Sequence, residues 1–245
     1  MNKNRIKGVS LLVILALVVL MLPVPAAADA LWGSADVNGD GQVDKIYLTQ
    51  STIKIVYANN STYEYPFNVA QDVLRYAVDT DGVAGAELVI SRYTKLVIIC
   101  DRTRSTREYP ITSTSSWLIA GCDDLNGIAG QEVIITNGAY LVVVNEKNVS
   151  SKSYFIRNDG PWTIMTGGIV DTDGAPGKEI VIDGNAYDVK ILSVVKDRVK
   201  IYTTVLRNNT VIGDFDGIAG AEVRFENNQQ KWYVIDRIEQ VRNYL

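Results

Sequence analysis

An acidic loop of nine residues recurs five times along this chain, and it limits the possible fold more strongly than any other feature. The copies are Asp36–Asp44, Asp79–Glu87, Asp124–Glu132, Asp171–Glu179 and Asp214–Glu222. Each copy has Asp first, Asp or Asn third, Gly fourth and a carboxylate ninth, and consecutive copies begin 43 to 47 residues apart. Self-similarity at such a fixed period is the signature of a repeat protein.

The segments between the loops predict β-strands. The runs that follow the loops are KIYLT, LVIS, VIITN, IVID and VRFE, and each unit adds two later extended runs and a short run before its loop. β-Branched and aromatic residues, alternation with a period of two and intervening turn residues are typical of strands. The pattern therefore predicts an all-β fold, a five-bladed β-propeller of four-stranded antiparallel blades in a single domain over residues 31–245. The alternative, an open solenoid, requires capping units, and neither end of the sequence shows one.

The N-terminus has the composition of a signal peptide. Lys3, Arg5 and Lys7 precede an uncharged apolar run over residues 9–22, and small residues follow in AAADA. The alternative is a membrane anchor, but a helix needs about 20 apolar residues to span a bilayer, and this run is shorter. We therefore expect residues 1–28 to be cleaved, the protein to be secreted or held at the cell surface, and no membrane span to remain.

Composition excludes several classes of site. The chain has no histidine and two cysteines, so triads that use histidine, His-ligated zinc sites and Cys-rich metal sites are excluded. Because 24 basic residues face 28 acidic ones, the chain also lacks the basic surface that nucleic acid binding requires. Export permits a Cys100–Cys122 disulfide, and two buried free thiols are the other interpretation.

At the loops the sequence resembles the FG-GAP and VCBS-type repeats of integrin alpha-chain propellers and their bacterial and archaeal secreted relatives. The resemblance covers all five units and depends on the pattern D-x-[DN]-G-x-x-G-x-[DE] and the strand after it. It implies a propeller whose loops bind Ca²⁺ through the first, third, fifth and ninth residues and a main-chain carbonyl near the seventh. It implies no single activity, since the family has none.

The residues themselves support a calcium hypothesis, because Ca²⁺ takes six to eight oxygen ligands. Loop one offers four side chains: Asp36, Asn38, Asp40 and Asp44. The candidate ligands of loops two to five are Asp79, Asp81, Glu87, Asp124, Asn126, Glu132, Asp171, Asp173, Glu179, Asp214, Asp216 and Glu222. In those four loops the fifth residue is apolar, so a second interpretation is equally open: the Asp residues only cap turns, and the fifth residue plugs the bottom of the propeller.

Function is less constrained by the sequence. Trp117 and Trp162 precede the first strands of units three and four, and Tyr76 lies near the corresponding strand of unit two. Strand direction places the two tryptophans toward the face opposite the acidic loops, where they either stack on sugar rings or pack between blades. The leading hypothesis is a non-catalytic propeller that binds an extracellular protein or glycan, as in adhesion. The alternative is a carbohydrate-active hydrolase or lyase that uses carboxylates near the axis, and Asp72, Glu108 and Asp159 are the carboxylates left outside the loops.

Overall fold

The computed structural model describes residues 29–111, 117–157, 161–185, 187–204, 207–227 and 230–243. The predicted signal peptide and Asp159 lie outside these residues. No helix in the described part of the chain is long and apolar enough to cross a membrane.

Within these described ranges, twenty strands form five four-stranded antiparallel sheets, each built from four consecutive strands. Blade one holds β1 Ala30–Ala35, β2 Asp44–Leu48, β3 Thr52–Val56 and β4 Thr62–Pro66. Blade two holds β5 Asp72–Val78, β6 Glu87–Arg92, β7 Lys95–Cys100 and β8 Ser105–Pro110. Blade three holds β9 Trp117–Asp123, β10 Glu132–Asn137, β11 Tyr140–Asn145 and β12 Ser150–Phe155. Blade four holds β13 Thr163–Val170, β14 Glu179–Asn185, β15 Asp188–Ser193 and β16 Arg198–Thr203. Blade five holds β17 Asn208–Gly213, β18 Glu222–Asn227, β19 Gln230–Ile235 and β20 Gln240–Asn243, with a short 3₁₀ helix at Asp236–Ile238.

The predicted fold is confirmed. Each sheet follows the order first, second, third and fourth strand, and no sheet exchanges a strand with another repeat. The acidic loop joins the first strand of each blade to the second, as the sequence predicts. The ninth loop residue begins the second strand in every blade, so the loop motif and the strand after it are one continuous structural unit.

Four hydrophobic clusters join successive blades, and we call these contacts the seams. The first seam packs Ile46 and Ile55 of blade one against Leu88 and Ile90 of blade two. The second, third and fourth seams repeat this arrangement between blades two and three, three and four, and four and five. Among the described residues, none of the four clusters joins blade five to blade one.

Hydrogen bonds between neighbouring loops reinforce the seams. The carbonyl of Asp36 accepts a bond from the N–H of Ala86 at 2.7 Å, and the carbonyl of Asp79 accepts one from Gln131 at 2.8 Å. Loops three and four make the same bond to the loop of the next blade. In the part of the chain that is described, loop five makes no such bond to loop one. The loops therefore form one continuous chain of contacts along one face.

A tyrosine also crosses three of the seams to a buried carboxylate. Tyr65 donates to Asp101 at 2.6 Å across the first seam, Tyr109 bonds to Glu146 across the second, and Tyr202 bonds to Asp236 across the fourth. Each tyrosine comes from the fourth strand of one blade, and each carboxylate follows the third strand of the next. Buried polar groups are costly unless paired, so each pair fixes the relative position of two blades.

Both cysteines are free thiols, so the structure contains no Cys100–Cys122 bridge. Cys100 is buried, and Cys122 packs against the second seam. Burial raises the pKa of Cys122 to about 12, and the nearby Asp123 adds to that effect. The thiol of Cys122 is therefore protonated and unreactive while the seam is closed.

Candidate functional site

The first residue of every loop accepts hydrogen bonds from the loop's own backbone. Asp36 accepts bonds from the N–H groups of Gly39 and Gly41, each at 2.8 Å. The first Asp of each other loop accepts a bond from the N–H of the fourth residue, at 2.6 to 2.7 Å. The third residue accepts a bond from the N–H two positions later in each loop. The turn-capping role proposed for these side chains is thus present in the structure.

The carboxylate of the ninth residue joins the two ends of each loop. It is buried in all five blades, and it accepts a hydrogen bond from the N–H of the second loop residue. Burial raises the pKa values of Asp44, Glu87 and Glu179. The same cause raises the pKa of Glu132 to about 7. These loops consequently hold carboxylates where ionisation is unfavourable without a compensating positive charge.

The apolar fifth residues do not plug the propeller. Val83, Ile128 and Ile218 are 50%, 49% and 55% exposed, so each lies at the surface of its loop. The loop backbone curls around the hydrogen bonds of its first residue, which leaves the fifth side chain outside the turn. The plug interpretation is therefore wrong.

Three loops bring possible metal ligands together. One oxygen each from Asp171, Asp173 and Glu179 lie within 4.8 Å of one another, and Asp214, Asp216 and Glu222 do the same. In loop two, Asp81 and Glu87 make such a group with the sulfur of Cys100. A basic side chain contacts the third residue in each of these three loops. A basic side chain therefore already compensates part of the negative charge of each of these donor sets.

Loop one differs in its donor chemistry. Asp36, Asn38, Asp40 and Asp44 are all oxygen donors, and none of the described ion pairs gives their carboxylates a basic partner. Their oxygens do not form one of the groups that lie within 4.8 Å. The donor set itself, three carboxylates and an amide, fits a hard divalent cation. Among the described residues, loop one is therefore a loop whose side-chain donors are all polar and whose carboxylates have no basic partner.

In loop three, amide groups donate hydrogen bonds to the buried carboxylate. Glu132 accepts hydrogen bonds from the side-chain N–H groups of Asn126 and Asn145, the latter at 2.7 Å. Lys147 reaches the carbonyl of Ala129 at 3.3 Å and contacts no carboxylate of the loop in the described hydrogen bonds. With two carboxylates and donors already on the buried one, this loop does not fit Ca²⁺ as well as loop one does.

The predicted aromatic residues lie at the seams. The indole N–H of Trp117 donates to the carbonyl of Tyr93 at 2.7 Å, and that of Trp162 donates to the carbonyl of Gly138 at 2.9 Å. Each bond crosses from one blade to the hairpin of the blade before it. Trp117 and Tyr76 pack against the second cluster, and Trp162 packs against the third. The packing interpretation therefore describes all three residues.

Trp162 has a second role, because it also lines a cavity of about 430 Å³ between blades four and five. The cavity, which we call the Trp162 groove, is lined by Pro161, Trp162, Thr163, Asp183, Gly184, Arg207 and Thr210. It lies where β13 starts and β14 ends, which is the end of the blades opposite the acidic loops. Two further cavities of about 600 and 250 Å³ share Thr163 with it and extend it over the first strands of blades three to five.

Sequence reasoning missed Asp183 and Arg207. Arg207 is almost fully buried, and its Nη2 atom donates to Asp183 at 2.6 Å and to the carbonyl of Asp188 at 2.7 Å. Asp183 is 24 residues from Arg207 in the sequence, and no motif links them. The charged pair gives the groove polar groups beside the ring of Trp162.

Comparisons with known proteins show similarity in fold only. No protein-family model matches the chain, and no curated protein matches it. A catalytically inactive virginiamycin B lyase from Staphylococcus aureus with quinupristin is 12% identical at a TM-score of 0.45, over 91% of this chain and 72% of that one. BBS1N in complex with ARL6DN is 10% identical at a TM-score of 0.46, over 89% and 69%. Hydrazine synthase of Kuenenia stuttgartiensis is 12% identical at a TM-score of 0.42, over 86% and 67%.

Proposed function

We propose that this chain is an exported, non-catalytic β-propeller that binds an extracellular glycan in the Trp162 groove. The observation that carries the proposal is the composition of that groove. An aromatic ring, two threonines, and a carboxylate paired with a guanidinium line one cavity of about 430 Å³. Binding cavities for small ligands have a few hundred cubic ångströms and a small number of fixed polar groups.

The chemistry of the groove matches a sugar ring. A pyranose presents an apolar C–H face and an edge of hydroxyl groups. The ring of Trp162 supplies a flat apolar surface that its N–H bond to Gly138 holds in place. Asp183 accepts hydrogen bonds from hydroxyl groups, and the hydroxyls of Thr163 and Thr210 donate or accept them. Arg207 keeps Asp183 oriented by their 2.6 Å bond.

The carboxylates of the described residues favour binding over hydrolysis. Hydrolysis of a glycoside commonly uses two carboxylates about 5 to 9.5 Å apart. Asp183 is the one carboxylate that lines the groove within the described ranges, and it is already bonded to Arg207. Asp72 is buried and bonded to Arg92 at 2.6 Å, and Glu108 pairs with Lys95 at 2.5 Å. Each of these carboxylates already has a basic partner.

Calcium in loop one is the second part of the proposal. Asp36, Asn38, Asp40 and Asp44 would hold the ion, and the ion would stabilise the charge of three carboxylates in one loop. Added Ca²⁺ raises the melting temperature of the chain if the site binds it, because a ligand of the native state stabilises that state. A melting temperature that is equal in millimolar Ca²⁺ and in chelator contradicts this part of the proposal.

The glycan hypothesis is tested by binding to an array of immobilised glycans. We expect a defined subset to bind, and the Trp162→Ala variant to lose that binding. Trp117→Ala is the matched control, because it also removes an indole that bonds across a seam but lines none of the described cavities. We expect Trp117→Ala to retain the glycan.

A second variant protects the test against loss of folding. Thr163 is exposed in the groove, so Thr163→Arg fills the cavity without removing a seam contact. It should abolish glycan binding at an unchanged melting temperature. If the wild-type chain binds no glycan, or if Thr163→Arg binds as tightly as wild type, the proposal is wrong and a protein partner becomes the hypothesis to test.

A further inference from the structure

Three loops contain a basic side chain where the resemblance implies a metal ion. Arg102, Lys196 and Arg237 each follow the third strand of their own blade, in blades two, four and five. Each reaches back to the acidic loop and contacts its third residue: Asp81, Asp173 and Asp216 respectively. We call these three side chains the tethered cations.

Arg102 contacts the same types of ligand that a cation in the loop would use. Its Nη2 atom donates to Asp81 at 2.8 Å. Its Nη1 atom donates to the carbonyl oxygens of Ala84 and Val83 at 2.9 and 3.2 Å. One guanidinium thus contacts one carboxylate and two main-chain oxygens of loop two.

Arg237 makes an equivalent contact in loop five. It bonds to Asp216 through Nη2 and to Glu222 through Nη1, so it joins the third and ninth residues of the loop. The Glu222 carboxylate is buried, and the Arg237 side chain is 14% exposed. In loop four, Nζ of Lys196 lies 2.5 Å from Asp173, whose side chain is 4% exposed.

The tethered cations occur where the third residue is Asp. Loops two, four and five have Asp at that position, whereas loops one and three have Asn. Loop one has Asn59 at the register position of Arg102, and it has Asp40 as an additional acidic residue at the fifth position. Loop one therefore has three carboxylates, as loops two, four and five do, but it has no basic residue at the position of Arg102.

We propose that Arg102, Lys196 and Arg237 take the place of calcium in loops two, four and five, so that these loops are closed without a metal. An arginine is always protonated, and its donors already occupy the loop oxygens. A divalent ion entering the loop meets both the positive charge at close range and a reduced set of free oxygens. The conclusion departs from what the resemblance implies for these loops.

The test is the number of calcium ions bound per chain, measured by native mass spectrometry and by equilibrium dialysis against calcium chloride. We expect the wild-type chain to bind no more than one ion, and Asp36→Ala to bind none. Removing a tethered cation exposes its loop, so Arg237→Ala and Lys196→Ala should each bind one ion more than wild type. Lys196 lies at the surface, so its variant keeps the packing of the seams.

Arg198→Ala is the matched control. Arg198 pairs with the exposed Glu239 outside the loops, and its removal should leave the number of bound ions unchanged. The proposal is overturned if Asp36→Ala still binds calcium, or if Lys196→Ala and Arg237→Ala bind no more ions than wild type. A wild-type chain that binds none contradicts only the site in loop one, while a gain in the two variants still supports the tethered cations.

Discussion

The seams between blades and the outer faces of the two end blades are built from the same strand positions but differ in chemistry. In blades two to four, the central strands are buried on both faces over most of their length, as in Leu88–Ile90 and Leu141–Val144. In blade one, β2 and β3 alternate between buried and more exposed residues. In blade two, Val89 pairs with Ile98 across the second and third strands. At the same two positions, blade five has Arg224 and Tyr233.

Both outer faces are therefore polar where a seam would be apolar. Blade one presents Lys45, Tyr47 and Lys54 at positions occupied in blade two by Leu88, Ile90 and Val97. Blade one has Ala58 at the register position of Asp101. It therefore lacks, at that position, the carboxylate that a tyrosine reaches in three seams. The free energy of unfolding therefore depends mainly on apolar contacts in the four seams rather than on each blade alone.

The largest expected effect compares two aromatic residues at one strand position. Phe225 is fully buried in the fourth seam, and Tyr47 holds the same position on the outer face of blade one. Phe225→Ala should lower the free energy of unfolding by about 3–5 kcal/mol through lost burial and a new cavity. Tyr47→Ala should cost about 1 kcal/mol or less.

Urea unfolding of both variants measures the difference. If both variants lose a similar amount of unfolding free energy, the outer face of blade one is packed as tightly as a seam, and the proposed difference between the two faces is wrong.

An intermediate effect compares two glycines with the same backbone geometry. Gly82 and Gly217 are the fourth residues of loops two and five, with φ of +76° and +73°. A Cβ on Gly82 would lie 2.2 Å from the carbonyl oxygen of Ala129 in the next loop, whereas one on Gly217 meets nothing within 4 Å. Both alanine variants pay about 1–2 kcal/mol for the left-handed conformation.

Gly82→Ala should lower the free energy of unfolding by roughly a further 1–3 kcal/mol, because the next loop must move to relieve the overlap. Thermal unfolding of the two variants isolates this loop-to-loop contact. If Gly217→Ala is as unstable as Gly82→Ala, loop five also contacts a neighbour, and the ring closes there.

The smallest expected effect concerns local opening of one seam. Cys122 packs against the second seam, and burial raises its pKa to about 12, so opening of that seam should speed its labelling by a thiol reagent at pH 8. Tyr109→Phe removes the bond to Glu146 across that seam and should cost about 1 kcal/mol. Labelling of Cys122 should then become faster by a factor of about 5, as expected for that loss.

Tyr202→Phe weakens the fourth seam and serves as the control. Peptide mass spectrometry separates the labelling of Cys122 from that of Cys100. An equal acceleration in both variants would show that the seams open together, so the seams could not be treated as independent units.

Some of these differences are visible in the sequence once the register is known. A fourth-strand tyrosine and an acidic residue after the third strand recur in several units. Three of the tyrosines bond to a carboxylate of the following unit, as Tyr65 does with Asp101. The alternation TIKIV in blade one against the continuous LVII in blade two also marks an end blade. No rule based on one repeat reveals these pairs, because the partners belong to different repeats.

The strands, the loops and the number of blades can be predicted from the sequence alone. Those features depend on local periodicity and on short turns, in which Asp and Gly act on neighbouring backbone groups. Which loops have an internal counter-ion, and where a ligand groove lies, depends on how the blades pack. Arg237 and Glu222, or Arg207 and Asp183, meet only after strands have paired and blades have packed, since the contact between them depends on register and not on spacing in the chain.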